Sequence, residues 1–269
     1  MLTLRVPYVM DWSAFKYLDS RFPVMRRRYK AVMVLLIAVS IGVTGFFIWA
    51  EMPLGPMPEA LEALNSDAGV EVTVGSWLVF RPLNATKKVG FIVYPGGRVD
   101  YRSYAPTGHA IAAKGYLVII VRMPLNLAVF GVNLAQDVIG AFPEVEVWAI
   151  GGHSLGGSMA AQYTAGHPSA IKGLILWASY PPSGVDLSGQ SVSVVTIRGS
   201  RDGLVSKVQI DGSLNVLPPA TISVEVLGGN HAQFGWYGPQ PGDNEAEISR
   251  AHQQTIVVDA TLQLLTSLN

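Results

Sequence analysis

The run Gly151-Gly152-His153-Ser154-Leu155-Gly156-Gly157 constrains this chain more than any other stretch, because it dictates a sharp change from one kind of backbone to another. Before it, the apolar residues 147–150 read as a buried strand. After it, 155–167 reads as a helix of small residues closed by Pro168. In a Gly-x-Ser-x-Gly turn the serine sits in a strained conformation between strand and helix. The glycines at 152 and 156 remove side chains that would clash there. The helix's first N–H groups point back at the serine, where charge on a reacting oxygen would be stabilised. A serine beside a helix start can also be a plain N-cap. The strand on one side and the helix on the other favour a nucleophile.

The same alternation continues along the chain. The run at 70–80 predicts one or two strands, and Val-rich and Ile-rich runs at 89–94, 117–121, 147–150, 174–178, 192–197 and 222–227 predict one each. Helical stretches are predicted at 104–114, 133–141, 155–167, 204–214 and 248–265, with a short helix at 59–65. Near-continuous apolar strands separated by helices imply an α/β fold with a mostly parallel, doubly wound sheet covered on both faces. The segment between 178 and 192 leaves room for a short loop only, so no large lid is expected there.

Residues 31–50, AVMVLLIAVSIGVTGFFIWA, hold no charge over twenty positions, and as a helix they would cover about 30 Å. Arg26, Arg27, Arg28 and Lys30 precede them; Glu51, Pro53, Pro56 and Pro58 follow. The positive-inside rule then predicts a single-pass cell-membrane protein. Residues 1–30 form a basic cytoplasmic segment, 31–50 a transmembrane helix in contact with lipid, and 51–69 a linker with a short helix. Residues 70–269 form one outward-facing domain. A cleaved signal peptide, formed by Met25 to Ala50, is the competing reading for this segment and a buried core helix a third; whether translation starts at Met1 or Met25 is a separate question. The apolar run is longer than signal peptides carry and lacks a small-x-small exit.

Charge narrows the partners. Residues 1–50 carry 7 Lys/Arg against 2 Asp/Glu, and the remainder carries 12 against 17. The larger part is net negative and lacks a basic stripe, which argues against nucleic acid. The absence of cysteine excludes disulfides, cysteine zinc sites and a cysteine nucleophile. The histidines are dispersed and no phosphate-cradling motif occurs, so neither metal nor cofactor is expected. Nothing specifies an oligomeric state.

A serine hydroxyl needs a base and an orienting carboxylate. Of five histidines, His231 follows the last strand in Leu227-Gly228-Gly229-Asn230-His231, at the C-terminal edge of the sheet, where ligands bind in such folds. His153 occupies the variable position of the serine motif and is read as facing away. His109, His167 and His252 fall in or beside helices. Asp202, in Arg198-Gly199-Ser200-Arg201-Asp202-Gly203, follows the preceding strand, with Asp186 as the reserve candidate. For oxyanion stabilisation, Leu155 N–H supplies one donor by position, and Pro95-Gly96-Gly97 offers the second, assigned to Gly97. Arg98 and Arg122, each just past a strand end, are read as solvated cations, with attraction of an anionic or lipid-headgroup substrate as the alternative. Tyr101, Trp236 and Tyr237 are divided between pocket and core.

These motifs, Tyr94-Pro95-Gly96-Gly97, the 152–156 turn, Gly199-x-x-Asp202 and Gly229-Asn230-His231-Ala232-Gln233-Phe234, together resemble the α/β-hydrolase superfamily. Within it they are most similar to the compact serine-dependent members of the dienelactone-hydrolase-like or "fold-5" branch. The resemblance covers about residues 70–269. It implies Ser154 as nucleophile, Asp202 and His231 as its partners, and Gly97 and Leu155 as oxyanion donors. Serine stands where true dienelactone hydrolases carry cysteine, and Pro95 where the oxyanion loop often opens with histidine. The expected activity is hydrolysis of a small-molecule carboxylic ester through an acyl-enzyme. The alternatives are a thioesterase or peptidase using the same triad, or a binding protein that kept the fold without turnover.

Overall fold

Strands in the larger part of this chain alternate apolar side chains between two opposite cores, and that alternation builds the sheet. The computed structural model describes residues 23–84 and 88–268. The chain divides into two units, Met1–Trp49 and Ala50–Asn269.

In the first unit, the helix α1 spans Pro23–Ala50, running through the basic cluster as well as the predicted apolar stretch. Within it Arg27–Ala50 is long and apolar enough to cross a membrane, a property that a signal sequence shares. Side chains such as Leu35, Ile41 and Phe47 are exposed. Much of the expected cytoplasmic segment, residues 1–22, lies outside the described residues, as does its orientation across a membrane.

The second unit holds eight strands: β1 (Val70–Val74), β2 (Trp77–Pro82), β3 (Val89–Tyr94), β4 (Leu117–Val121), β5 (Val147–His153), β6 (Gly173–Trp177), β7 (Ser193–Gly199) and β8 (Ile222–Val226). They form one sheet in the order β1-β2-β4-β3-β5-β6-β7-β8. The pairs from β4 through β8 are parallel, while β1 and β2 form an antiparallel hairpin added at one edge. The run at 70–80, read as one or two strands, holds two, broken at Gly75-Ser76.

Its helices are α2 (Pro58–Glu62), α3 (Ala105–Ala112), α4 (Leu134–Ala141), α5 (Leu155–Gly166), α6 (Lys207–Ser213) and α7 (Arg250–Ser267). Phe91 and Val93 of β3, Val118 and Ile120 of β4, and Ile175 and Trp177 of β6 enter one core with residues of α3 and α7. The intervening Ile92, Tyr94, Ile119, Leu174 and Leu176 enter the other, with α4 and α5. Each central strand is therefore buried on both sides, as a doubly wound parallel sheet requires. Fully burying one such side chain contributes about 1.5–3 kcal/mol. α6 begins at Lys207 rather than Leu204, because Ser206 and Gln209 form a reciprocal capping box that fixes the helix start.

Residues 50–69 are tied into this unit. Ala50 and Ala60 are fully buried, and Met57 N–H donates to Trp236 O at 2.8 Å.

Candidate active site

β5 lies near the middle of the sheet between β3 and β6, and it continues three residues beyond the predicted strand, through Gly151-Gly152-His153. The added residues pair on both sides, Gly152 with Tyr94 and His153 with Trp177. The next residue, Ser154, has φ 52° and ψ −123°, and α5 starts immediately after it. Such a conformation in a non-glycine residue costs about 1–3 kcal/mol and persists only where its surroundings enforce it. Here Ser154 N–H donates to Trp177 O at 2.9 Å, and its carbonyl accepts from Ser179 Oγ at 2.6 Å. The turn also needs missing side chains: a Cβ on Gly156 would lie 2.1 Å from Tyr94 O, and one on Gly152 2.2 Å from the same atom. Ser154 and Leu155 are half-exposed.

Leu155 is the first residue of α5, so its N–H has no acceptor within the helix. The loop after β3 lies against it: a Cβ on Gly97 would sit 3.1 Å from Leu155 Cδ2. The two candidate oxyanion donors are therefore neighbouring residues.

Asp202 and His231 come from the loops after β7 and β8. The Asp202 carboxylate meets His231 Nδ1 at 2.8 Å, and both side chains are 1% exposed. A carboxylate only accepts, so Nδ1 carries a proton, and in the neutral tautomer this bond selects, the lone pair is on Nε2. His231 Nε2 is buried and has no hydrogen-bond partner among the described residues. The other Asp202 oxygen accepts from Leu204 and Val205 N–H at 2.8 and 2.7 Å, which fixes the carboxylate's orientation. Asp186 is elsewhere: it is exposed and accepts from Ser188 N and Oγ in a local turn.

His153 differs from its sequence reading. Because β5 runs on to residue 153, alternation sends this ring to the face where His231 lies, and the two ring centroids are 4.4 Å apart. His153 is fully buried and stacks on Phe234 at 5.7 Å. Tyr104 links it to the loop after β3: the hydroxyl accepts Gly96 N–H at 3.0 Å and hydrogen-bonds His153 Nδ1 at 2.9 Å. Burial, reinforced by the nearby His231, holds the His153 imidazole well below the usual histidine range, so it is neutral. Burial pushes the Tyr104 hydroxyl upward, keeping it a proton donor.

Other supporting residues escape sequence reasoning. Asp243 accepts from Gly203 N–H at 2.9 Å and Ala232 N–H at 2.8 Å, joining the Asp202 loop to the His231 loop. Gln253 on α7 grips Asn230 through both backbone groups, at 3.0 and 2.8 Å. Asp243 sits in Pro241-Gly242-Asp243-Asn244 and reads as an ordinary turn; Gln253 reads as a helix-surface residue. Tyr237 is a core residue, and Arg98 Nη2 donates to Met52 O at 2.8 Å in an exposed bond. His109, His167 and His252 lie away from this cluster: His109 faces Asp67, His167 bonds Tyr163 O, and His252 is exposed on α7. Among the described residues no three His, Asp or Glu side chains group as a metal site would require.

The sequence profile of the alpha/beta hydrolase family matches residues 90–255, more than half of the chain. No curated protein matches it in sequence. Solved structures share the fold at low identity. One is a dienelactone hydrolase from Anabaena variabilis, 14% identical with a TM-score of 0.53 over 73% of this chain and 99% of that one. A second is the Est2 esterase of Thermogutta terrifontis with butyrate bound, 12% identical with a TM-score of 0.56 over 75% and 95%. A third is a predicted CIB-like hydrolase from Thermoplasma acidophilum, 16% identical with a TM-score of 0.53 over 72% and 98%. Identities this low speak to the fold alone.

Proposed function

The chain belongs to the alpha/beta hydrolase family, and from that premise we propose that it is a membrane-anchored serine hydrolase of carboxylic esters. In this reading residues 31–50 are the anchor, residues 70–269 form the catalytic domain on the outer side of the membrane, and residues 51–69 join the two. The observation that carries the chemistry is the buried Asp202–His231 pair at 2.8 Å, with Nε2 of His231 left as a base.

The reaction follows from those roles. His231 Nε2 takes the Ser154 Oγ proton as Oγ attacks the ester carbonyl carbon. Gly97 and Leu155 N–H stabilise the oxyanion. Collapse of the intermediate breaks the bond to the alkoxy oxygen, which leaves as the alcohol with the proton from His231. Water, deprotonated by the same nitrogen, then attacks the acyl-enzyme and releases the acid. Asp202 holds the imidazole in the required tautomer throughout. The esterase among the structural neighbours, with its bound butyrate, shows only that the shared fold can hold an acyl group.

The test is labelling of the full-length protein in detergent by a fluorophosphonate, together with hydrolysis of p-nitrophenyl butyrate. Ser154→Ala is expected to abolish labelling and to lower kcat by about 10⁴-fold or more. Undiminished labelling of that variant, or a folded wild-type protein inert to both reagents, would overturn the assignment.

A further inference from the structure

Tyr104 joins three parts of the site through one side chain. It ends the short 3-10 turn Tyr101–Tyr104, which begins where the Asp100 carboxylate accepts Arg102 N–H at 2.9 Å. Its hydroxyl bonds Gly96 N–H and His153 Nδ1. Its ring lies against the His231 loop, where a Cβ on Gly235 would come within 3.1 Å of Tyr104 Cε1. Gly96 and His153 are the residues immediately before Gly97 and Ser154. A single hydroxyl therefore spans the oxyanion loop and the serine turn at the positions that lead into each.

The packing leaves little play. Tyr104 and His153 are both fully buried. A Cβ on Gly96 would lie 2.7 Å from His153 Nδ1 and 3.0 Å from the Tyr104 hydroxyl, so only glycine lets the loop's backbone come this close. Burying a hydroxyl, an imidazole nitrogen and an N–H is costly unless they satisfy one another, as these do. A phenylalanine at 104 would fill the same space with no polar group to satisfy. The hydroxyl acts on the loop, not on the core.

The same bond sorts the loop's N–H groups. Gly96 is buried; its N–H is taken by Tyr104 and its carbonyl accepts Val99 N–H at 3.2 Å. Gly97 is half-exposed, like Ser154 and Leu155, and its N–H makes no hydrogen bond among the described residues. One amide is engaged, and the next is left for a ligand.

We propose that Tyr104 and His153 are positioning residues for the oxyanion hole: His153 holds the Tyr104 hydroxyl, the hydroxyl holds Gly96, and Gly97 N–H is thereby aimed at the point that Leu155 N–H also serves. Neither side chain touches substrate. This rests on the reading of Ser154 as the nucleophile.

The test is hydrolysis of p-nitrophenyl butyrate by the full-length protein in detergent, for wild type, Tyr104→Phe, His153→Leu and the double variant. Tyr104→Phe keeps the ring and loses the bridge. Its kcat is expected to fall about tenfold or more with KM nearly unchanged, because the donors act on charge that forms only in the transition state. The acid-side midpoint of its pH profile should not move, since the Asp202–His231 pair keeps its bond. His153→Leu should lower kcat by a smaller factor, and the double variant should be no slower than Tyr104→Phe, because the imidazole acts through the hydroxyl. A wild-type kcat in Tyr104→Phe, a fall accompanied by a shifted midpoint, or additive losses in the double variant would overturn the proposal.

Amide exchange on the wild-type protein provides a measurement that no folding defect can obscure. Gly96 N–H should be protected like the amides of β3, and Gly97 N–H should exchange freely until a fluorophosphonate is attached to Ser154, whose phosphoryl oxygen then slows it about tenfold or more. An unprotected Gly96, or a Gly97 amide indifferent to the adduct, would equally overturn the proposal. Failure of the underlying reading looks different: Ser154→Ala that still hydrolyses the ester or still takes the label would remove the nucleophile itself.

Discussion

Two stretches meet at the candidate site and are held there by different chemistry. The turn 151–157 is fixed by main-chain atoms: β5 pairs with β3 and β6, Ser154 N–H bonds Trp177 O, and two glycines admit the Tyr94 carbonyl. The loops bearing Asp202 and His231 are fixed by side chains arriving from far along the sequence, Asp243 and Gln253 above all. A backbone-built feature tolerates almost no added volume but depends little on the identity of remote residues. A feature built from side chains has the opposite sensitivity.

Gly156→Ala tests the first half and should have the largest effect. A methyl 2.1 Å from Tyr94 O and 2.3 Å from Pro95 O cannot be absorbed by a rotamer change, because both obstacles are backbone. Denaturant melts should show a loss of about 3 kcal/mol or more, together with loss of fluorophosphonate labelling. A variant that stays within 1 kcal/mol of wild type would show the turn to be far more pliable than its contacts imply.

Asp243→Ala tests the second half. It leaves Gly203 and Ala232 N–H without their carboxylate acceptor, which should cost about 2 kcal/mol in the same melts. Esterase kcat should fall at least tenfold through misplacement of His231, with KM nearly unchanged. A fall in stability with no change in kcat would mean that the two loops keep their alignment by other means.

His153 belongs to both halves, lying on the turn with its ring against His231, and its signature is a pH dependence. Its folded-state pKa lies well below the unfolded value of about 6.5, so below that pH the unfolded chain binds a proton that the folded chain refuses. The stability it brings is complete above about pH 6.5. It is lost as pH falls toward the folded pKa, at about 1.4 kcal/mol per pH unit. In His153→Gln that component of the acid slope should disappear when melts are compared between pH 5 and pH 7. An unchanged slope would show that His153 is not held neutral.

The same contrast explains what could be read from the sequence. The strands were legible because their apolar residues are continuous, as burial on both sides demands. Asp202 and His231, which the structure pairs at 2.8 Å, could be picked out because each follows a strand end in chain order. The last three residues of β5 were not, since Gly151 and Gly152 read locally as turn formers and only pairing with β3 and β6 extends them. That misplaced end also hid the direction of the His153 ring. Asp243 and Gln253 act through contacts across 40 and 23 residues of chain, a relation that no local pattern encodes.

The strained turn at Ser154 also bears on when the protein becomes reactive. Its enforcing contacts come from Tyr94, Trp177 and Ser179, so the turn closes only after β3, β5 and β6 have assembled from segments far apart in the chain. Such non-local pairing forms late in folding. A nascent or partly unfolded chain therefore lacks this turn, and under the proposed mechanism Ser154 becomes nucleophilic only on completion of the sheet. Labelling of Ser154 would then count finished molecules, making the reactive serine a built-in reporter of its own folding.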